Sequence, residues 1–141
     1  MYNEPATPKD QIPSLSEFKK LDLNGMLQAI PLLQVGDSDY SHKPQMYIII
    51  CVDGTRLSVQ ANRFMHCYPA DNTGPYTHVE VGYPSIVPPV SWKKYCEDWS
   101  NPTGTVYSYI PIKMVLKFIA EHGGMNLEKM FAEKPYPPIL R

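Results

Sequence analysis

"QMYIIICVDGTRLSVQAN", Gln45 to Asn62, reads as two strands and the turn between them. Its first half is an apolar, β-branched run, and its second half alternates apolar with polar residues. Asp53-Gly54 stands between them, a pair suited to a two-residue type I′ turn because both central positions of that turn need positive φ. On the returning strand Leu57, Val59 and Ala61 share one face, and Arg56, Ser58, Gln60 and Asn62 share the other, which is expected to meet solvent or a pocket. The hairpin makes antiparallel sheet the frame to which the other elements attach.

"THVEVGY", Thr77 to Tyr83, is a third strand, with Val79 and Val81 inward and His78 and Glu80 opposite. "TVYSYI", Thr105 to Ile110, is a fourth, and simple alternation puts Tyr107 and Tyr109 on one face. Between them "YPSIVPPV" is an extended, proline-rich connection. "SWKKYCEDW" spaces Trp92, Tyr95, Cys96 and Trp99 at i, i+3, i+4 and i+7, a short helix capped by Ser91. "PIKMVLKFIAEHGG" is the clearest helix, with Ile112, Val115, Leu116 and Ile119 as its apolar stripe. Pro111 suits its first turn and Gly123 the left-handed position past its end. "NLEKMF" adds a short helix capped by Asn126.

Upstream, "SLSEFKKL" carries a capping box, Ser14 with Glu17, and sets Phe18 and Leu21 on one side of a helix. That helix is expected to break near Asn24-Gly25, with Pro31 closing the next short segment and "SDYSHKP" as a polar loop. The sum is α+β: an antiparallel sheet of about four strands with helices packed on one face. Residues 1–13 read as a flexible arm, 14–134 as a single domain and 135–141 as an extended tail.

Composition narrows the functions open to such a domain. Its 141 residues are 43 % hydrophobic, enough to bury a core, and its fifteen prolines favour short elements and stiff connections. A formal net charge of −1 lacks the basic excess that steers a protein to phosphate backbones, so non-specific nucleic-acid binding is not expected. A small anionic ligand would need only one or two arginines. Three cysteines without a CxxC indicate neither a zinc ribbon nor a redox pair. No signal peptide and no apolar run of roughly 20 residues is present, so the expectation is a soluble cytoplasmic protein that does not engage membranes.

Chemistry-bearing residues gather in "RFMHCYPADNTGPYTHVEVG", Arg63 to Gly82. Metal binding by His66, Cys67 and His78 lacks the second ligand pair that zinc sites show. A Cys67–His66 nucleophile fails because strand neighbours face opposite ways, and Cys96 sits among aromatic core positions. Twin-histidine phosphodiester chemistry wants separated His-x-Ser/Thr motifs, whereas "HCY" and "HVE" lie close together. Carboxylate-pair hydrolysis finds only Glu80 inside a strand. None of the four prevails, and no cofactor is implied.

Binding suits these residue types better. Rings stack on bases and an arginine pairs bidentately with phosphate. Arg63, His66, Tyr68, Tyr76 and His78 supply those functions, Tyr107 and Tyr109 could extend the wall, and the "NTGP" turn offers backbone N–H groups to an anion. Two plainer readings compete. The rings could cover the sheet's outer face and tie a long loop, or they could form a homo-oligomer contact.

The runs "DGTRLSVQANRFMHCYPADNTGPYTHVEVGYPS" and "PTGTVYSYIPIKMVLKFIAEHGG" resemble a family of small accessory proteins of tailed phages and prophages. Its pattern is a strand ending SVQAS-R, a histidine followed by tyrosine or cysteine, then GPY, VEVG-P, and TVY-YVP before a helix ending HGG. The likeness covers about residues 53–124 and leaves out residues 1–44 and the Trp92–Trp99 insert; it also departs where Met65 separates Phe64 from His66. Most members of that family carry no settled function, but small phage proteins of this size often counter bacterial immunity, so an anti-defence protein in the host cytoplasm is expected. One class of small phage proteins, the anti-Thoeris and anti-CBASS sponges, holds a nucleotide-derived immune signal in an oligomer without turnover, with Arg63 then expected on phosphate. The alternative is a protein-binding inhibitor of a host defence enzyme such as a CRISPR nuclease. A third, a hydrolase using His66 and His78, ranks last.

Overall fold

The computed structural model describes residues 14–29 and 47–133. The expected arm at 1–13, the stop at Pro31, the "SDYSHKP" loop and the tail at 135–141 lie outside them.

Strands β1 (Tyr47–Ile50), β2 (Arg56–Gln60), β3 (His78–Gly82) and β4 (Val106–Pro111) form one sheet in that order, each pair antiparallel. Chain neighbours are sheet neighbours throughout, a meander. Register sets Leu57 against Ile49 and Val59 against Val81, so the alternating apolar positions of the hairpin line up on one face. Elements α1 (Leu15–Phe18) and α2 (Leu23–Ala29) precede the sheet, a 3-10 turn (Val90–Tyr95) joins β3 to β4, and α3 (Ile112–Glu121) and α4 (Leu127–Glu133) come after it. The fold is α+β.

The hairpin turn differs from the two-residue form. The Gly54 N–H bonds to the Cys51 carbonyl and the Cys51 N–H to the Thr55 carbonyl, so Val52, Asp53 and Gly54 form a three-residue loop with only Gly54 at positive φ. Asp53 is claimed by other partners. Its carboxylate accepts from the Thr55 N–H at 2.9 Å and from His122 Nδ1 at 2.6 Å, tying the turn to the end of α3. These bonds, the Thr55 amide first, hold the Asp53 carboxyl below the usual carboxylate range. A group whose pKa is lower folded than unfolded contributes stability above its unfolded value, about 4, and loses it as pH falls through the folded one. Asp71, held down by the Gly74 and Thr73 amides, and Glu133, held down by Arg56, act with the same sign. The thermal midpoint is therefore expected to drop between pH 5 and pH 3, and to drop less steeply in Asp53→Asn.

β2 is buried on both faces. Leu57 and Val59 join the apolar core, while Ser58 and Gln60 on the other side are also covered, with Gln60 Nε2 donating to Ser58 Oγ at 3.1 Å. Asn62 is buried as well, so this face is neither open to solvent nor a pocket there. Beside it Arg56 makes two 2.9 Å bonds to Glu133 of α4. Phe131 of α4 meets Phe18 of α1 at 5.6 Å between ring centroids. On the Val81 side, Tyr107 meets Trp92 of the 3-10 turn at 5.5 Å, and Trp92 meets Phe118 of α3 at 5.1 Å. Ile112, Val115, Phe118 and Ile119 are the buried stripe of α3, and Leu116 is exposed.

Other local elements depart from the sequence pattern for identifiable reasons. Helix α2 runs through Asn24-Gly25, with the Gly25 N–H held by Asp22 Oδ1 at 2.7 Å. The Trp92 segment is a 3-10 turn capped by Pro89 rather than an α-helix capped by Ser91, because Cys96 leaves the turn in extended conformation to bridge Tyr107. Ser14–Glu17 does close a capping box, and Asn126 Oδ1 does accept from the Lys129 N–H.

Gly123 sits at φ +93°, where an added Cβ would lie 2.9 Å from the Val52 Cβ. Gly123→Ala thus combines left-handed strain with a clash and should lower stability by about 2 kcal/mol or more in urea unfolding. Gly124→Ala, at φ +84° but in open space, is expected to lose about 1 kcal/mol.

Candidate binding surface

The loop between β2 and β3 is fastened at many points. Asn62 Oδ1 accepts from the Phe64 N–H at 2.7 Å and Asn72 Oδ1 from the Arg63 N–H at 3.0 Å. The Asp71 carboxylate accepts from the Thr73 and Gly74 amides, and the Tyr76 hydroxyl donates to the Asp71 carbonyl. Helix α2 clamps the loop from outside. Asn24 bonds both the N–H and the carbonyl of Tyr76, and Gln28 Nε2 reaches the Thr73 carbonyl. Tyr68 and His78 exchange backbone bonds, which folds the segment back along the sheet.

Extended backbone then separates the side chains by face. Cys67 is buried, its thiol donating to the Asn62 carbonyl, while His66 and Tyr68 on either side are exposed. On β4 a register shift opposite Glu80 marks a β-bulge, and Tyr109 there sits at φ +53°. Its N–H bonds to the His66 carbonyl and its ring lies 5.6 Å from the His66 ring. Tyr68 meets His78 edge-on at 6.4 Å. Four of the seven residues expected at the site, His66, Tyr68, His78 and Tyr109, therefore come together on one end of the sheet.

The other three do not join them. Tyr76 is 2 % exposed and Tyr107 fully buried; both rings are core, and burial pushes both phenols well above the ordinary phenol value. The bulge is the physical cause for β4: it rotates Tyr109 away from the face that Tyr107 keeps. The Arg63 guanidinium lies 4.9 Å from the Phe64 ring centroid and makes no ion pair among the described residues.

Carboxylates stand where phosphate chemistry would want cations. Glu80, mostly covered on the sheet face, accepts from the His66 backbone N–H at 3.1 Å and lies 3.2 Å from His66 Nδ1. Ser108 Oγ is 3.2 Å from the same Nδ1 and donates to Glu97 Oε2 at 2.8 Å; Glu97 Oε2 is 3.9 Å from Nδ1. A serine–histidine–acid relay needs serine and carboxylate on opposite ring nitrogens. Here serine and both acids crowd one nitrogen, and the serine hydrogen already points to Glu97. The geometry does not activate Ser108.

Thiol and metal chemistry find little purchase either. Burial raises the Cys51 thiol to about 11 and also pushes up Cys67. Among the described residues no three histidine, cysteine or acidic side chains converge as metal ligands. No helix of the described residues is long and apolar enough to cross a membrane.

Sequence reasoning missed Glu97 and Ser108. Glu97 lies just past the 3-10 turn, and only the bridge between Cys96 and Tyr107 brings it beside β4, with its N–H on the Val106 carbonyl. Nothing in residue spacing announces that approach.

No family model, no curated protein and no solved structure matches the chain.

Proposed function

We propose that this chain is a non-catalytic anti-defence protein that acts by occupying a basic surface of a host protein partner. The phage accessory proteins it resembles supply the setting. One observation carries the choice of a protein partner over a captured nucleotide: His66, whose ring lies 5.6 Å from the exposed Tyr109 ring, faces two carboxylates, Glu80 at 3.2 Å and Glu97 at 3.9 Å, and among the described residues neither carboxylate pairs with an arginine. Phosphate brought to that spot would meet like charge. An arginine or lysine side chain of a partner would find ring faces to stack on and carboxylates to pair with. Tyrosine-rich, half-exposed patches are also what protein interfaces favour. A defence enzyme that grips nucleic acid through a basic groove presents the complementary surface.

The sign of one substitution tests the reading. Glu97→Gln removes a negative charge from an exposed position, so it should weaken a basic protein partner by about threefold to tenfold, whereas it should tighten any anionic ligand. Photo-cross-linking from positions 68 and 109 in defence-active cells supplies the partner, with position 19 as control. Release of a nucleotide from heated protein, together with tighter retention in Glu97→Gln, would overturn the proposal in favour of signal capture.

A further inference from the structure

A second surface, independent of the ring patch, lies around the 3-10 turn. Residues 83–90 reach it under tight control. The Ser85 N–H bonds to the Arg56 carbonyl, the Arg56 N–H to Ser85 Oγ, and the Trp92 N–H to the Pro89 carbonyl. Pro88 and Pro89 fix φ between those pins, so the loop cannot easily fold its own side chains away. Yet Val87 is 58 % exposed and Val90 75 %. Both valines thus leave apolar surface open beside the turn.

The surroundings of the valines define the occupant. An open cleft of about 510 Å³ is lined by Val90, Ser91, Lys93 and Lys94. A second, of about 240 Å³, adjoins it through Ser91 and runs between Trp92, Met114, Lys117 and Phe118, with Glu121 as its one acid. Among the described residues Lys93, Lys94 and Lys117 make no ion pair. Three ammonium groups without an ion pair, that of Lys94 lying 5.4 Å over the Tyr95 ring, thus frame apolar concavities, against a single carboxylate. Lysine is a compact point charge on a flexible stem, suited to tracking carboxylates without demanding one geometry. We infer that this face docks an acidic segment of a partner protein, one that carries apolar side chains between its carboxylates for the two clefts.

The probe is a short fluorescein-labelled peptide alternating glutamate with leucine and phenylalanine, titrated by anisotropy against the full chain. Saturable binding is expected. It should weaken by about tenfold or more with lysine in place of glutamate in the peptide, in Lys93→Glu/Lys94→Glu, and in Val90→Asp. All three altered positions on the protein are exposed, and an unchanged near-ultraviolet signal from the buried Trp92 checks that each variant is folded. Equal binding of the lysine peptide, or no binding, overturns the inference. So does lysine-dependent binding to phosphatidylserine vesicles in place of the peptide, or self-association that Val90→Asp abolishes. The ring-patch variant Tyr68→Ala should leave peptide binding unchanged, which separates this surface from the first.

Discussion

Trp92→Ala is expected to remove about 3–5 kcal/mol of folding stability. Trp92 is 1 % exposed although it stands in a short 3-10 turn bracketed by exposed Ser91 and Lys93. Its indole is wedged between the Tyr107 ring, edge-on at 76°, and the Phe118 ring. The connection between β3 and β4, pinned at its ends by backbone bonds, is thus anchored between sheet and helix by this indole. Alanine would leave a void that neither a strand nor a ten-residue helix can collapse into without losing its own register. Against a total of about 5–15 kcal/mol for a domain of this kind, the variant should unfold at far lower urea and show broadened near-ultraviolet bands before it does. Trp92→Phe, which keeps much of the packing, should recover more than half of the loss. A loss under about 1 kcal/mol in Trp92→Ala would mean that the turn does not pack as described.

The second large effect concerns binding, and it runs opposite to stability. Tyr109 holds positive φ at the bulge, a conformation that costs a residue with a side chain about 1–2 kcal/mol. Glycine adopts it freely, so Tyr109→Gly should leave stability unchanged or raise it by about 1 kcal/mol. Combined with Tyr68→Ala, it should weaken the protein partner by about 2–4 kcal/mol, some thirtyfold to a thousandfold. Binding curves and urea midpoints on the same two-residue variant check both halves. Loss of both together would assign Tyr109 to the fold rather than to contact. Retention of binding would remove the patch from the proposal.

How far the sequence reveals this arrangement varies by element. Alternation from Arg56 to Asn62 and from His78 to Gly82 places two strands and their inward valines correctly, because a strand's period of two leaves no freedom once one face is apolar. Asp53-Gly54 marks the hairpin but not its loop length, since the bond that redirects Asp53 comes from His122, 69 positions away. Tyr107 and Tyr109 look like companions because an alternating pattern cannot show where a bulge inserts. That one extra residue buries the first and exposes the second. The same limit applies to the site. His66, Tyr68 and His78 are visible as chemistry in one short run, whereas Glu97 and Ser108 become neighbours of His66 only through tertiary bridging. Tyr76 looks available for stacking, but its hydroxyl and ring are consumed in closing its own loop.

The β4 margin carries one last implication. Its outward backbone groups are covered by Glu97 and Cys96 on one stretch and by the His66 carbonyl on the next. The segment bearing the exposed rings is thus also the guard that keeps this border from recruiting stray chains. Opening that segment to wrap a partner would bare the border, so the recognition we propose proceeds by rigid fit, with the partner doing whatever adjusting is needed.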